Sequence, residues 1–348
     1  MPKLANRTAS FTDSVIRRMT RVSMEYQAIN LAQGFPDFSP PEAITRRLQE
    51  IATAGPHQYS ITWGAENFRV ALAEKQSRLM GRQLDPATEI VVTCGSTEAM
   101  LAAMLSVTNP GDRVVVFSPF YENYGADAIL AGAEPVYVPL RLPDFSLDQT
   151  ALVAAVEQGV KALILCNPAN PSGRVFTREE LQVIADLAQK HDFYVITDEV
   201  YEHIVYHPWQ HVYFASLPGM YERTLSCGSL SKTYSITGWR LGYIIAPPEI
   251  TDAARKVHDF LTVGAAAPLQ EAAVVGLRFG PEYYQELLAA YTERRELFLQ
   301  GLDAIGLTHN EPQGAYYVLV DVAEFNYSND LEFCLDLAQK VGVGAVPG

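Results

Sequence analysis

KALILCNPANPSGRVFTREELQVIADLAQKHDFYVITDEV, residues 161–200, is the stretch whose reading decides the fold class. It opens on KALILC (161–166), a run that is apolar at nearly every position and so reads as a strand buried on both faces. A turn rich in Asn, Pro and Gly follows. Thr177-Arg178-Glu179-Glu180 is then a capping box, opening a helix with Leu181, Ile184 and Ala188 on one face. DFYVITD (192–198) closes the unit as a second strand. Strand, helix, strand with near-continuous apolar strands indicates a parallel sheet covered on both faces.

The same alternation extends outward. EIVVTC (89–94) reads as a strand, 96–107 as a helix and RVVVFS (113–118) as a strand, with further strand-like runs at 224–227 and 239–247. The fold class is α/β. The ends differ from the middle. Residues 1–44 hold a short helix and the Gly/Pro-rich QGFPDFSPP. From Pro281 comes a long polar helix, then GAYYVLVDV (314–322), which reads as a strand, and then a helix over 330–341. The expected division is a large domain at 45–285 and a smaller α+β domain built from 1–44 plus 286–348.

Composition bounds the function. The 348 residues are 48% hydrophobic and 19% charged, which is ordinary for a globular chain. Net charge is −14, and the Arg17-Arg18, Arg46-Arg47 and Arg294-Arg295 pairs sit at helix-like positions, so a nucleic-acid partner is not expected. No apolar run approaches a membrane span, and MPKLANRTASFTDSVIRRMTRV does not read as a secretory signal. Cys94, Cys166, Cys227 and Cys334 show no CxxC spacing; buried reduced thiols in a cytoplasmic protein are the expectation.

In open α/β sheets ligands sit at the carboxyl ends of strands. After EIVVTC come Gly95-Ser96-Thr97 at a helix start, which reads as a plain capped turn or as a phosphate cradle. The spacing matches neither GxGxxG nor GxxxxGKS/T. After RVVVFS comes Pro119-Phe120-Tyr121, whose aromatics either stack on a flat ring or pack in the core. After KALILC come Asn167 and Asn170 in a turn whose amides can face the crevice. After FYVIT come Asp198, an acid that needs a cation or strong donor if buried, and Tyr201. No His/Asp/Cys set accompanies Asp198, so no metal is expected; His203 and His207 read as loop residues. Last comes GSLSKTYSITGWRLGY (228–243), with Ser229, Ser231, Lys232 and Arg240 in a loop of small residues. A phosphate cradle, an aromatic, a carboxylate, a tyrosine and an amine able to condense with a carbonyl together describe the needs of pyridoxal 5′-phosphate.

At this point the chain resembles the fold-type I pyridoxal-phosphate aminotransferases of class I/II, in the kynurenine aminotransferase, glutamine transaminase K and methionine aminotransferase branch. The matching stretches are INLAQGFPDFSPP, HQYSITWGAENFR, NPANPSGRVFTREEL, ITDEVYEHIVY, FASLPGMYERTLSCGSLSKTYSITGWRLGY and PQGAYYVLVD. The resemblance covers nearly the whole chain and implies a three-layer αβα architecture with a mostly parallel sheet. It implies that Lys232 bonds the cofactor and shuttles the substrate proton, that Asp198 pairs with the pyridine nitrogen, and that Tyr201 and Asn170 contact the ring's phenolic oxygen. Tyr121 would stack on the ring. Ser96, Thr97, Ser229 and Arg240 would hold the phosphate, joined by Tyr59 from a second subunit of a homodimer. Gly34 and Asn170 would meet the substrate carboxylate.

The expected reaction is ping-pong transfer of an amino group from a neutral or aromatic L-amino acid (methionine, glutamine, kynurenine, aromatics) to a 2-oxo acid. A cysteine-conjugate C–S β-lyase is the alternative. A pyridoxal-phosphate-sensing regulator carries little weight, because QGFPDF begins at Gln33 and the charge is acidic. One departure stands out: the family's carboxylate-binding arginine lies beyond the stretch matching GVGAVPG, so the natural polypeptide is expected to continue past Gly348.

Overall fold

The computed structural model describes residues 2–10 and 13–348. Nine strands are present among them: β1 (Ile29–Asn30), β2 (Ile90–Thr93), β3 (Arg113–Ser118), β4 (Glu134–Pro139), β5 (Ala162–Cys166), β6 (Tyr194–Asp198), β7 (Thr224–Ser229), β8 (Gly242–Ile245) and β9 (Val343–Gly344). The α-helices are α1 (Val15–Glu25), α2 (Glu42–Ala54), α3 (Glu66–Met80), α4 (Ser96–Val107), α5 (Asn123–Leu130), α6 (Gln149–Val156), α7 (Arg178–His191), α8 (Pro248–Thr262), α9 (Ala267–Leu277), α10 (Pro281–Ala304) and α11 (Asp330–Asp336). Seven strands form one sheet in the order β2-β8-β7-β6-β5-β3-β4. Every neighbouring pair is parallel except those involving β8, which is antiparallel to both β2 and β7.

The apolar character of the strands has the expected cause. Val114, Val116, Ile164, Ile196 and Leu225 point to one face, where they pack with Ala99, Ala103 and Met104 of α4 and Ala128 of α5. Their alternates Val115, Leu163, Leu165 and Val195 point to the other, against Leu152 of α6 and Leu181, Ile184 and Ala188 of α7. Both faces are dry, so neither set can be polar. The capping box at the start of α7 is present as read: Thr177 accepts from the Glu180 N–H, and Glu180 accepts from the Thr177 N–H. No helix among the described residues is long and apolar enough to cross a membrane.

The two ends of the chain meet. β1 and β9 pair in parallel, Ile29 with Val343 and Asn30 with Gly344, and Met19 of α1 packs there with Ala32 and Cys334. Residues 314–322, expected to form a strand, are not one. They make only isolated bridges, Val205 with Gly314 and His309 with Val320. Ala315 takes a left-handed φ of 57°, and the Leu319 N–H is taken by the Asn310 side chain, so no ladder propagates. The run at 239–247 forms strand only over β8, because residues 237–239 make a 3-10 turn and Pro247-Pro248 open α8. The helix expected over 330–341 is α11 followed by a π-helical turn, Leu337–Val341.

Candidate active site

Because β8 runs against its neighbours, its beginning lies where theirs end. Gly242 pairs with Thr93 on one side and Ser229 on the other. Arg240, two residues earlier, therefore arrives beside the turn that follows β2. The fit is tight: a Cβ on Gly242 would overlap the Gly95-Ser96 backbone, and one on Gly95 would overlap the Arg240 guanidinium. Gly95 also holds a φ of +84°, which L side chains rarely adopt. Ser96 and Thr97 begin α4, whose free first-turn N–H groups start at this same turn. Ser229 Oγ accepts from the Ser231 N–H at 2.9 Å, while the Ser231 hydroxyl is buried without a partner. A cation, a helix N-terminus and an orphaned hydroxyl around two glycines make a cradle for an anion such as a phosphate.

Asp198, at the end of β6, is 5% exposed. Its Oδ2 accepts from the Tyr124 hydroxyl at 2.8 Å, and the Val200 N–H approaches Oδ1 at 3.4 Å. Burial raises its pKa to about 6, against the lowering effect of Tyr124 and the positive field of Lys232. Asp127, one turn after Tyr124 on α5, is a second buried carboxyl, with Oδ2 unpartnered. Burial, and then the charge of Asp198, push Asp127 up to about 8. Two carboxyls so placed do not both ionise readily; Asp198, with its donor and its cation, takes the charge first. Lys232 is the opposing group. Burial pushes its amine down to about 8, with Arg240 adding to the effect and Asp198 resisting it. A substantial share of Lys232 is thus neutral near pH 8, as a nucleophilic amine requires.

Around Lys232 stands a box of phenols. Its Nζ donates to the Gly34 carbonyl at 2.8 Å and lies 6.0 Å and 5.6 Å from the ring centres of Tyr201 and Tyr316. Tyr316 donates to the same carbonyl at 3.0 Å. Tyr317 fills the space left by the missing side chain of Gly34, where a Cβ would overlap its ring, and its hydroxyl lies 2.8 Å from that of Tyr201. Tyr121 stands edge-on to Tyr124 at 5.7 Å. Asn170 lines a small cavity with Tyr124 and Cys166. The Asn167 amide oxygen accepts from the Phe176 N–H, so of the two turn asparagines only Asn170 keeps its side chain uncommitted among the described residues. Tyr59 alone of the expected residues stands apart: it is 86% exposed and makes no hydrogen bond among the described residues.

The turn carrying Asp198 and Tyr201 is anchored from below. Glu202, buried, meets Lys75 at 3.2 Å, Gln76 at 3.1 Å and the Tyr213 hydroxyl at 2.7 Å, with His203 Nε2 at 3.2 Å. Burial alone would raise Glu202; Lys75 and the other donors outweigh it and hold the carboxyl well below its ordinary range. His203 is thus a half-buried member of this network as well as a turn residue. Tyr124, Asp127, Tyr316, Tyr317 and Lys75 were not legible as site residues. Tyr124 had one signal, its place one turn beyond Tyr121. Among the described residues no group of three or more His, Cys, Asp or Glu side chains could hold a metal.

The family described as aminotransferase class I and II matches residues 26–348. The chain belongs to this family. It is 35% identical over 334 residues to a methionine aminotransferase of Escherichia coli, covering 96% of this chain and 86% of that one. It is likewise 35% identical to a kynurenine–oxoglutarate transaminase of Dictyostelium discoideum, covering 94% and 80%. Among solved structures, one from Escherichia coli described as having a methionine aminotransferase function superposes with a TM-score of 0.95 at 34% identity, over 100% of this chain and 91% of that one. The protein is an amino-acid aminotransferase with the fold of these enzymes, and nothing in these likenesses favours the lyase alternative.

Proposed function

We propose that this aminotransferase uses pyridoxal 5′-phosphate, held at the carboxyl edge of the sheet, to move the amino group of a neutral or aromatic L-amino acid to a 2-oxo acid. The observation that carries the reading is the placing of a half-buried amine, Lys232, within the field of a buried carboxylate, Asp198, beside an anion cradle. The donor set fits the cofactor. Arg240, Ser96, Thr97, Ser229 and the unpartnered Ser231 hydroxyl would hold its phosphate, Asp198 its pyridine nitrogen, Tyr201 and Asn170 its phenolic oxygen, and Tyr121 its face. When bound, the cofactor supplies an electron-withdrawing ring that stabilises charge at the substrate Cα.

This chain's own groups do the rest. Lys232 would bond the cofactor and, once displaced by substrate, take and return the proton at Cα. Tyr124 keeps Asp198 oriented and favours its charged form. Gly34 and Asn170 would meet the substrate carboxylate, and the Tyr316–Tyr317 wall, with Phe38 behind it, suits an apolar or aromatic side chain better than a second carboxylate. Methionine, glutamine, kynurenine and the aromatic amino acids are the expected donors; methionine and kynurenine stand in the names of two relatives.

We read the enzyme as a homodimer with shared sites. Tyr59 and Phe260, 86% and 91% exposed, lie with Ile61, Leu261 and Val263 on segments joined by the Thr62–Asp259 hydrogen bond, an apolar surface that a second copy would cover. The pairing of β1 with β9 supports the division into 45–285 and 1–44 plus 286–348. Four free thiols favour a cytoplasmic location. Reduction of the cofactor-loaded protein with borohydride, followed by peptide mapping, tests the assignment: the label is expected on Lys232, and a panel of donors should favour neutral and aromatic amino acids. A label on another lysine, or a preference for aspartate, refutes it.

A further inference from the structure

Tyr201 and Tyr317 share one hydrogen bond, and counting donors decides its direction. The hydroxyls of the buried Tyr201 and the half-buried Tyr317, 2.8 Å apart, hold two protons, of which only one can lie between the oxygens. The Gly34 carbonyl already takes bonds from Lys232 and Tyr316. The hydroxyl neighbours of Tyr317 are those of Tyr201 and Tyr316, and the Tyr316 proton is already given to Gly34. Once Tyr201 donates to the phenolic oxygen of a bound cofactor its single proton is spent, and the shared bond then runs from Tyr317 to Tyr201. In that arrangement Tyr317 has Tyr201 as its acceptor, and the Tyr201 proton points away from Tyr317. The perpendicular packing of the two rings, 5.9 Å apart, and the close fit of Tyr317 against Gly34 fix this geometry.

We propose that Tyr317 is a positioning residue for Tyr201: its hydroxyl donates to the Tyr201 oxygen, aims the Tyr201 proton at the ring oxygen of the bound cofactor, and strengthens that bond. A hydroxyl that accepts a hydrogen bond is polarised into a better donor, and the effect is larger where water is excluded. The proposal rests on the reading that Tyr201 meets the cofactor's phenolic oxygen. It adds that a residue far away in the chain tunes that contact. The titratable groups facing Tyr201 are Tyr316 and Tyr317 from the segment after α10, Cys166 at the end of β5, and Lys232 after β7.

The test is a pH titration of the visible absorbance of the cofactor-loaded enzyme, in wild type, Tyr317→Phe, Tyr201→Phe and the double variant. Each change removes one oxygen and keeps the ring. A donor to the phenolic oxygen disperses negative charge that otherwise holds the proton on the neighbouring Lys232 nitrogen, so losing it raises that nitrogen's proton affinity. Tyr201→Phe should raise it most, and Tyr317→Phe by about three- to tenfold. Tyr317→Phe should then have no further effect once Tyr201 is Phe. A Tyr317→Phe titration identical to wild type, or an equal shift in both backgrounds, overturns the proposal while leaving the cofactor reading intact. A wild-type protein that shows no visible band with pyridoxal phosphate overturns the cofactor reading, and the proposal with it.

Discussion

Replacing Asp198 by an asparagine should make the cofactor-free protein more stable and the loaded enzyme slower. The exchange is nearly isosteric. The amide oxygen keeps the 2.8 Å bond from Tyr124, and the NH2 group replaces only the long 3.4 Å contact with the Val200 N–H. What disappears is a buried charge. An acid whose pKa rises on folding, here from 3.8 to about 6, binds its proton more tightly folded than unfolded. The folded state therefore loses stability as pH climbs through the window from about 4 to about 6, by about 3 kcal/mol in all. The neutral amide carries no such penalty. Thermal melts of the cofactor-free proteins should place the Asp198→Asn variant a few degrees above wild type at pH 7.5, with the gap closing near pH 4. Turnover moves the other way. Loss of a hydrogen bond to a charged group costs about 1.5–3 kcal/mol, which is about ten- to hundredfold in kcat. A variant that melts no higher than wild type at pH 7.5, or that transaminates at the wild-type rate, would refute the account of Asp198.

Three further outcomes are expected. Gly95→Ala, whose Cβ would meet the Arg240 guanidinium at a φ of +84°, should weaken pyridoxal-phosphate binding at least tenfold with the fold retained, as read by cofactor titration and circular dichroism. Lys75→Met leaves Glu202 buried without its cation and should cost about 3–5 kcal/mol in denaturant unfolding; a loss under about 1 kcal/mol would mean the other donors suffice. Light scattering should give a dimer, and Phe260→Asp should shift it toward monomer; a monomeric wild type with full cofactor affinity would rule out shared sites.

The fold class was legible because parallel strands covered on both faces must be apolar at almost every position, and Val114–Phe117, Ala162–Cys166 and Tyr194–Ile196 announce that without reference to anything distant. The Thr177–Glu180 box likewise acts within four residues, so its sequence signature and its structure coincide. Lys232, Asp198, Ser96 and Arg240 stood out because small or polar residues interrupt apolar runs at strand ends. What local pattern could not carry was direction and distance. That β8 runs antiparallel, and so delivers Arg240 to Gly95, depends on pairing with two other strands, one of them far away in the chain. GAYYVLVDV, rich in Val and Tyr, reads as a strand, yet a left-handed Ala315 and the Asn310 side chain deny it a ladder. The same twist sends Tyr316 and Tyr317 against Gly34 and Tyr201, a meeting of three chain segments that no periodicity records, because side-chain contacts across such separations are set by packing alone.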